Sequence, residues 1–229
     1  MIVIGDSHVR AFAEKKDINA IFVGPGKEYN FTSALFADNV MKAILSIKDI
    51  IQGETVILFF GEPDTRFALG KGWHPWDFQE VKDDINNNIF VLNCAKRFVN
   101  VFSKLINQID ADLNILLPVY TSNLNQCRYI DLFNNYILQK MTCNVIDINF
   151  EVSKNGVLNK FYQLDIIHSN NEIVEVVLKK VKNDKKNKLK TVNVDRLKFN
   201  RKFGCYFLSN KGKLSKYLEK ITNLFLGKL

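Results

Sequence analysis

Directly after Met1 the chain reads Ile2-Val3-Ile4-Gly5-Asp6-Ser7-His8, an apolar run followed by a turn, and residues 9–14 then show a helical pattern. Gly5 permits a tight turn between strand and helix. Ser7 then lies near the helix N-terminus, where free backbone N–H groups and the helix dipole favour negative charge. The pattern predicts a hydroxyl presented where a developing oxyanion would be stabilised. The alternative is that Asp6 or Ser7 simply caps the helix.

A second polar block, Asp165-Ile166-Ile167-His168, lies near the other end of the chain, just before a helical pattern that starts near Ser169. The two polar residues are three apart in a connection, so the Asp165 carboxylate is close enough to hold one ring nitrogen of His168. The other ring nitrogen can then take a proton from a serine hydroxyl. Ser7, His168 and Asp165 thus have the residue types and roles of a Ser-His-Asp triad.

In this order the two blocks resemble those of the SGNH (GDSL-type) hydrolases, over about residues 1–182. The resemblance implies that Ser7 is the nucleophile, that His168 is the general base and acid, and that Asp165 orients His168. The Gly-Asp-Ser-His form looks like the variant common among enzymes that act on O-acetylated glycans. The family's fold is a five-stranded parallel sheet of the flavodoxin-like kind.

The family's third block, Gly-x-Asn-Asp, is expected after the apolar strand 55–60, where this chain reads Gly61-Glu62-Pro63-Asp64-Thr65-Arg66. Pro63 stands at the Asn position and has neither a side-chain donor nor a backbone N–H, so a three-donor oxyanion hole lacks one donor. The Gly-Glu-x-Asp-x-Arg pattern looks like a subgroup often found near polysaccharide-assembly enzymes. It implies substrate-binding roles for Glu62, Asp64 and Arg66. The alternative is a structural ion pair between Glu62 and Arg66, joined by Arg10.

The other oxyanion donors are expected at the Ser7 N–H and in the loop after the second predicted strand, which ends in Gly24-Pro25-Gly26. By the resemblance, one glycine of this loop donates its N–H. Gly24 and Gly26 are both candidates, and an ordinary turn is the alternative.

Residues 68–80 form a predicted loop after a strand, where ligands bind in open α/β sheets. The loop carries Trp73, His74 and Trp76, which predict a stacking platform for a sugar ring. A packed lid and an oligomer contact are the alternatives. His8 is expected to line the rim of the pocket.

Short apolar runs alternate with segments whose apolar residues recur every three or four positions. Strands alternating with helices of ten or more residues predict a parallel sheet covered on both faces. We therefore expect a three-layer α/β/α sandwich with five parallel strands. The helices are expected over 33–51, 89–109, 130–141 and 172–181.

Residues 1–182 are expected to form this domain, and residues 183–229 a basic C-terminal extension. From Lys182 onward fourteen basic residues face three acidic ones, a net charge of +11, whereas the rest of the chain has −3. Two short strands, 191–194 and 205–208, and an amphipathic helix over 214–225 are predicted. The helix is expected to pack on the core, another subunit, a partner enzyme or an anionic membrane surface. No nucleic-acid-binding module is recognisable.

Length and composition exclude several classes. A chain of 229 residues with 47% hydrophobic residues suits one medium domain with an appendage. No apolar run is long enough to predict a membrane span. Because Met1 leads straight into the first predicted strand, no signal peptide is expected. Four scattered cysteines predict thiols in a reducing compartment, and hence a cytoplasmic protein. With three histidines, neither a metal centre nor a cofactor is expected.

The sequence therefore predicts a serine-dependent esterase acting on O-acyl groups, foremost O-acetyl groups, of a carbohydrate or polysaccharide. The expected partner is this carbohydrate or an acylated small-molecule substrate. Water as the second nucleophile gives hydrolysis, whereas a sugar hydroxyl gives an O-acetyltransferase of polysaccharide biosynthesis, and the residues do not separate the two. A non-catalytic, glycan-binding or scaffold protein that keeps the fold is the competing class, suggested by Pro63 and by the basic extension.

Overall fold

The computed structural model describes residues 1–13, 15, 17–23, 30–68, 84–165 and 168–181, together with the backbone of residues 205–208. Five parallel strands form its centre, in the order β5-β4-β3-β1-β2. Their bounds are β1 Ile2–Gly5, β2 Asn19–Val23, β3 Thr55–Phe59, β4 Asp112–Leu116 and β5 Asn144–Ile146. The predicted α/β fold is confirmed, and the strand order is that of flavodoxin-like sheets.

Helices connect these strands and cover both faces of the sheet. A 3-10 helix spans Ser7–Phe12 and a second one Lys160–Tyr162. The α-helices are α1 Ala34–Leu45, α2 Lys48–Ile51, α3 Glu62–Phe67, α4 Asp84–Ile106, α5 Leu124–Lys140, α6 Asn149–Val152 and α7 Ile173–Lys180. A small hairpin pairs β6 Ser153–Lys154 with β7 Val157–Leu158. Within the described ranges, every helix is too short or too polar to span a bilayer.

The single helix expected over residues 33–51 is divided into α1 and α2. The Ser46 hydroxyl donates to the Ala43 carbonyl at the end of α1, at 2.6 Å. A side-chain bond of this kind competes with the regular helix ladder. The apolar periodicity continues through the break, because Ile44, Ile47 and Ile51 are all buried. The pattern therefore predicted the burial of Val40, Ile44, Ile47 and Ile51 correctly, whereas Leu35 is 65% exposed and the helix is not continuous.

The two faces of the sheet bury two separate apolar cores. Alternate residues of a strand point to opposite faces, and in β1 Ile2 and Ile4 belong to one core while Val3 belongs to the other. The larger core lies under α1, α4 and α5 and contains five packed phenylalanines: Phe31, Phe60, Phe98, Phe102 and Phe133. The smaller core lies under the first 3-10 helix, α6 and α7. The three predicted layers are therefore present.

A sixth strand from the C-terminal extension completes the sheet. β8, Cys205–Leu208, pairs antiparallel with β2, and residue 205 lies opposite Val23. The predicted strand at 205–208 is confirmed, and this part of the extension covers the β2 edge, which would otherwise expose unpaired backbone groups. The predicted strand at 191–194 and the amphipathic helix at 214–225 lie outside the described residues.

Candidate active site

The turn at Gly5 and Asp6, where β1 ends, places Ser7 and His8 at the carboxyl edge of the sheet. The Asp6 N–H donates to the Phe59 carbonyl at the end of β3 at 3.2 Å, which holds the two strand ends together. A Cβ at Gly5 would lie 1.9 Å from the same oxygen, so only glycine fits there. The Asp6 carboxylate accepts from the His8 N–H at 3.0 Å and caps the 3-10 helix.

Ser7 is the first residue of that 3-10 helix, and its hydroxyl is in contact with the distant polar block. Ser7 Oγ lies 2.9 Å from His168 Nε2, although the two residues are 161 positions apart. His168 Nδ1 lies 2.8 Å from Asp165 Oδ2 and 3.1 Å from Oδ1. The structure thus brings the three predicted residues into one continuous line of hydrogen-bonding distances, which we call the Ser7–His168–Asp165 line.

The segment that carries His168 is held by its own backbone. The Leu164 and Asp165 N–H groups both donate to the His168 carbonyl, at 2.8 and 3.3 Å. Asp165 Oδ1 accepts from the His168 N–H at 2.8 Å, so the carboxylate holds the backbone and the ring together. α7 follows directly, and its Ile173, buried in the smaller core, anchors the segment to the sheet.

The protonation of His168 is biased toward the neutral imidazole. Burial lowers its pKa, and the nearby His8 lowers it further, while the Asp165 carboxylate opposes both effects. Its side chain is 18% exposed and that of Asp165 is 50% exposed. A neutral His168 that gives its Nδ1 proton to Asp165 presents an unprotonated Nε2 to the Ser7 hydroxyl, which is the arrangement of a general base and its nucleophile.

His8 lies behind this line and not at the rim of a pocket, so that expectation was wrong. Its imidazole is 1% exposed, and Nε2 lies 3.4 Å from Glu62 Oε2. The His8 ring also packs against the His168 ring, with centroids 4.9 Å apart. Consecutive side chains of a tight helical turn point in different directions. Ser7 therefore faces outward, and His8 faces the Glu62 carboxylate at the start of α3.

Glu62 is the centre of a buried polar cluster, formed by His8, Glu62, Thr65 and Gln126. Gln126 Nε2 donates to Glu62 Oε1 at 2.6 Å and lies 3.4 Å from Thr65 Oγ1, which donates to the Glu62 carbonyl. The Arg66 guanidinium lies 3.4 Å from Glu62 Oε2. Burial alone would raise the pKa of Glu62, but Arg66, His8 and Gln126 outweigh it and lower that pKa to about 2. Glu62 is therefore a buried carboxylate that is ionised at neutral pH.

Arg66 is the part of the third block that remains accessible. The Glu62–Arg66 ion pair, one of the two alternatives, is present, and the group that joins it is His8. The Arg66 side chain is 15% exposed, whereas those of Glu62 and Asp64 are fully enclosed. Of the three residues assigned to substrate binding in this block, Arg66 therefore has the access that a substrate contact needs in this conformation.

Asp64 anchors the chain that follows the second strand. Its Oδ1 accepts from the Phe31 N–H at 2.7 Å, and Arg97 donates to the Phe31 and Thr32 carbonyls at 3.0 Å. Burial raises the pKa of Asp64 to about 8, against the hydrogen bond from Phe31, so its carboxyl group is mostly protonated at neutral pH. Burial likewise raises the pKa of Asp6 to about 6.

Pro63 lies in the first turn of α3, two residues after Gly61, whose φ of 109° is in the left-handed region. It supplies no hydrogen-bond donor at this point. The Ser7 N–H, in contrast, is at the start of a helical turn and has no acceptor within that turn. Five further candidates, Gly24, Gly26, Trp73, His74 and Trp76, lie outside the described residues.

Gln126 and Thr65 are hydrogen-bond partners of Glu62 that sequence reasoning missed. Asn123 caps α5, and its Oδ1 accepts from the Gln126 N–H. The spacing Asn-x-x-Gln is a signal for a helix start, and it could have placed Gln126 in the first turn of α5. It carries no information that the Gln126 side chain reaches Glu62, 64 residues away.

No protein-family model matches the chain, and no curated protein matches it. The resemblance to the SGNH hydrolases therefore stays a prediction that depends on the motifs. In the part of the chain that the structure describes, no group of three or more His, Cys, Asp or Glu side chains is arranged to hold a metal ion.

Proposed function

We propose that this protein is a serine-dependent carboxylic-ester hydrolase of the SGNH type, acting on O-acyl groups, foremost O-acetyl groups, of a carbohydrate or polysaccharide. The observation that carries the proposal is the Ser7–His168–Asp165 line, with Ser7 Oγ 2.9 Å from His168 Nε2 and Nδ1 2.8 Å from Asp165. The Ser7–His168–Asp165 line supports acyl transfer in general, whereas the ester linkage and the carbohydrate both depend on the motif resemblance.

In this reaction the Ser7 Oγ attacks the ester carbonyl carbon while His168 Nε2 takes the hydroxyl proton. Asp165 stabilises the imidazolium that forms. When the tetrahedral intermediate collapses, the leaving sugar oxygen receives the proton from Nε2 and an acyl-Ser7 remains. Water then gives a proton to Nε2 and attacks the acyl carbon. The carboxylic acid leaves, and Ser7 Oγ regains its proton.

The oxyanion formed in both steps needs hydrogen-bond donors. The Ser7 N–H is the first donor in this proposal, and a Gly24 or Gly26 N–H is the second. Pro63 supplies none, and losing one such donor typically costs about 10²–10³ in kcat. Arg66 lies one turn further along α3 and is partly exposed. We propose that its side chain lies at the pocket and substitutes for the donor that is missing at Pro63.

The test uses the full-length chain with p-nitrophenyl acetate and with a serine-reactive fluorophosphonate. We expect esterase turnover and covalent labelling of the wild type, and the loss of both in Ser7→Ala. Ser103→Ala is the matched control, because Ser103 lies on α4 and, among the described residues, its hydroxyl donates to the Met141 sulfur at 3.9 Å. Absence of turnover and labelling in all three proteins would contradict the enzyme proposal and favour the glycan-binding or scaffold alternative, which Pro63 supports.

Hydrolysis and acyl transfer differ in the second nucleophile. Offering a saccharide acceptor with the acyl donor and measuring acylated saccharide against free acid separates them. We also propose a cytoplasmic location. Its support is that Cys94, Cys127 and Cys143 are free thiols, as is usual in a reducing compartment.

A further inference from the structure

Two histidines stand side by side at this site, and the proposed reaction uses one of them. The His8 and His168 ring centroids are 4.9 Å apart, with an angle of 39° between the planes. The His8 side chain is buried on all sides. Its Nε2 lies 3.4 Å from Glu62 Oε2, within ion-pair distance, but neither Nε2 nor Nδ1 has a hydrogen-bond partner among the described residues.

Burying an imidazole without a full set of hydrogen bonds costs free energy of folding, so packing alone does not explain why a histidine stands here. The surroundings of His8 supply a reason for it. Glu62 is held as a carboxylate by Arg66 and Gln126, so His8 faces a fixed negative charge. Burial and Arg66 lower the pKa of His8, but Glu62 and Asp6 outweigh them and raise it. The environment therefore favours an imidazolium at His8.

A positive charge at His8 acts on its neighbour. A like charge within about 4–6 Å disfavours the protonated form of a titrating group, and His8 indeed lowers the pKa of His168. Among the described residues, the other charged groups that act on the pair are Asp6 ahead of the 3-10 helix, Glu62 and Arg66 on α3, and Asp165 beside His168. Of these, Asp165 and Glu62 favour a protonated His168, and burial and the His8 charge together oppose them.

We propose that His8 is a positioning residue, whose imidazolium, fixed on the buried Glu62 carboxylate, keeps the adjacent His168 neutral and able to accept the Ser7 proton. The inference rests on the proposed function for its consequence in catalysis, but not for the protonation states themselves. It assigns a role to Glu62 as well, which is to fix the charge on His8 and thereby act on His168 through it.

The direct test is an NMR titration of the imidazole groups in the full-length chain, labelled with ¹⁵N-histidine. The chain has three histidines, so single variants assign every signal. In His8→Gln we expect the titration midpoint of His168 to rise by about one pH unit, because a neighbouring positive charge is lost while the Glu62 carboxylate stays. In the double variant His8→Gln/Glu62→Gln both charges are removed. The titration midpoint of His168 should then return most of the way to its wild-type value.

Glu62→Gln alone is the arm that does not depend on replacing His8. Here the His8 midpoint should fall, because burial then acts without its carboxylate partner. An unchanged His168 midpoint in folded His8→Gln, or an unchanged His8 midpoint in Glu62→Gln, would overturn the inference. Circular dichroism and thermal unfolding check that each variant is folded.

The kinetic consequence separates this inference from the proposed function. The acid limb of kcat/KM reports the pKa of the free enzyme's base. It should move upward with His168 in His8→Gln, which lowers kcat/KM about tenfold on the acid side and leaves the high-pH plateau in place. A uniform loss at every pH would indicate a structural role and overturn the inference. The expected NMR shifts without esterase turnover would contradict the proposed function alone.

Discussion

The Ser7–His168–Asp165 line and the buried polar cluster lie back to back, yet they differ in access to solvent. Half of the Asp165 side chain is exposed and 18% of that of His168. In the cluster, His8, Glu62, Thr65 and Gln126 have at most 2% exposed. The outer line has the access that a substrate needs, and the inner cluster has the low-dielectric surroundings in which a fixed charge acts strongly.

Because of this difference, we expect the outer line to affect mainly catalysis and the inner cluster to affect mainly the free energy of unfolding. An exposed carboxylate contributes little to the free energy of unfolding, so the outer line can be altered with little cost to folding. The Glu62 carboxylate accepts a hydrogen bond from Gln126 and is paired with His8 and Arg66, so removing one partner leaves a buried charge less compensated. Variants of the line should therefore lose activity while staying folded, and variants of the cluster should lose stability.

Asp165→Asn should give the largest effect. The Asn oxygen can still accept from the His168 N–H, but its amide NH₂ then faces Nδ1 and favours the wrong tautomer. We expect kcat for p-nitrophenyl acetate to fall by about 10⁴, with the free energy of unfolding changed by less than about 0.5 kcal/mol. Steady-state kinetics and urea unfolding measure the two.

Glu172→Gln is the matched control for Asp165→Asn, because it neutralises an exposed carboxylate seven residues further along, at the start of α7. Its kcat should equal that of the wild type. An Asp165→Asn enzyme with wild-type kcat would show that the carboxylate does not orient His168.

Gly5→Ala should disturb both regions, since the turn after β1 directs Ser7 to one and His8 to the other. The new Cβ would meet the Phe59 carbonyl oxygen at 1.9 Å, and we expect a loss of about 3 kcal/mol or more in the free energy of unfolding. At Gly53 the φ is +72° but nothing lies within 4 Å of a Cβ, so Gly53→Ala should lose only about 1 kcal/mol. Equal losses would contradict the close approach at Gly5.

Gln126→Leu tests the inner cluster alone. It removes the amide that donates to Glu62 Oε1 at 2.6 Å, and leaving a buried charged group without this partner should lower the free energy of unfolding by about 2–3 kcal/mol. Gln139→Leu, on the exposed side of the same helix, should change it by less than about 0.5 kcal/mol. Similar unfolding curves for the two variants would contradict the claim that the inner cluster contributes more to the free energy of unfolding than exposed positions do.

Asp64→Asn should give the smallest effect, which is a change in how steeply the free energy of unfolding depends on pH. The pKa of Asp64 is about 8 in the folded protein and 3.8 in its ordinary state. Between these values the folded state keeps a proton that the unfolded state has lost, so the free energy of unfolding falls as pH rises, by up to about 1.4 kcal/mol per unit. The variant should lack this part of the slope.

The comparison for Asp64→Asn is made between pH 6 and pH 8, because Asp6, with a pKa of about 6, adds its own slope below that range. Urea unfolding at both pH values gives the slopes of wild type and variant. Asp49→Asn, at an exposed position of α2, should leave the slope unchanged. Parallel slopes for wild type and Asp64→Asn would show that the Asp64 carboxyl is not held protonated.

Much of the fold could be predicted because its signals are local. Apolar runs such as that of β3 are buried on both faces of a parallel sheet, and the three- and four-residue spacing of Phe98, Phe102 and Leu105 requires only a helix with one buried side. The break at Ser46 and the 3-10 form of the first helix were not predicted, because each depends on single hydrogen bonds that periodicity does not register.

By itself, the sequence determined that the chain alternates strands and helices, that Ser7 follows the first strand at the carboxyl edge of a parallel sheet, and that Asp165 can reach His168 across three residues. Each of these depends on neighbours along the chain. Only the tertiary structure decided that His8 turns away from the rim toward Glu62, and that Gln126 closes the carboxylate's other side. Contacts between residues 54 or 64 positions apart depend on how α3 and α5 pack on the sheet, and no local pattern of residues encodes that packing.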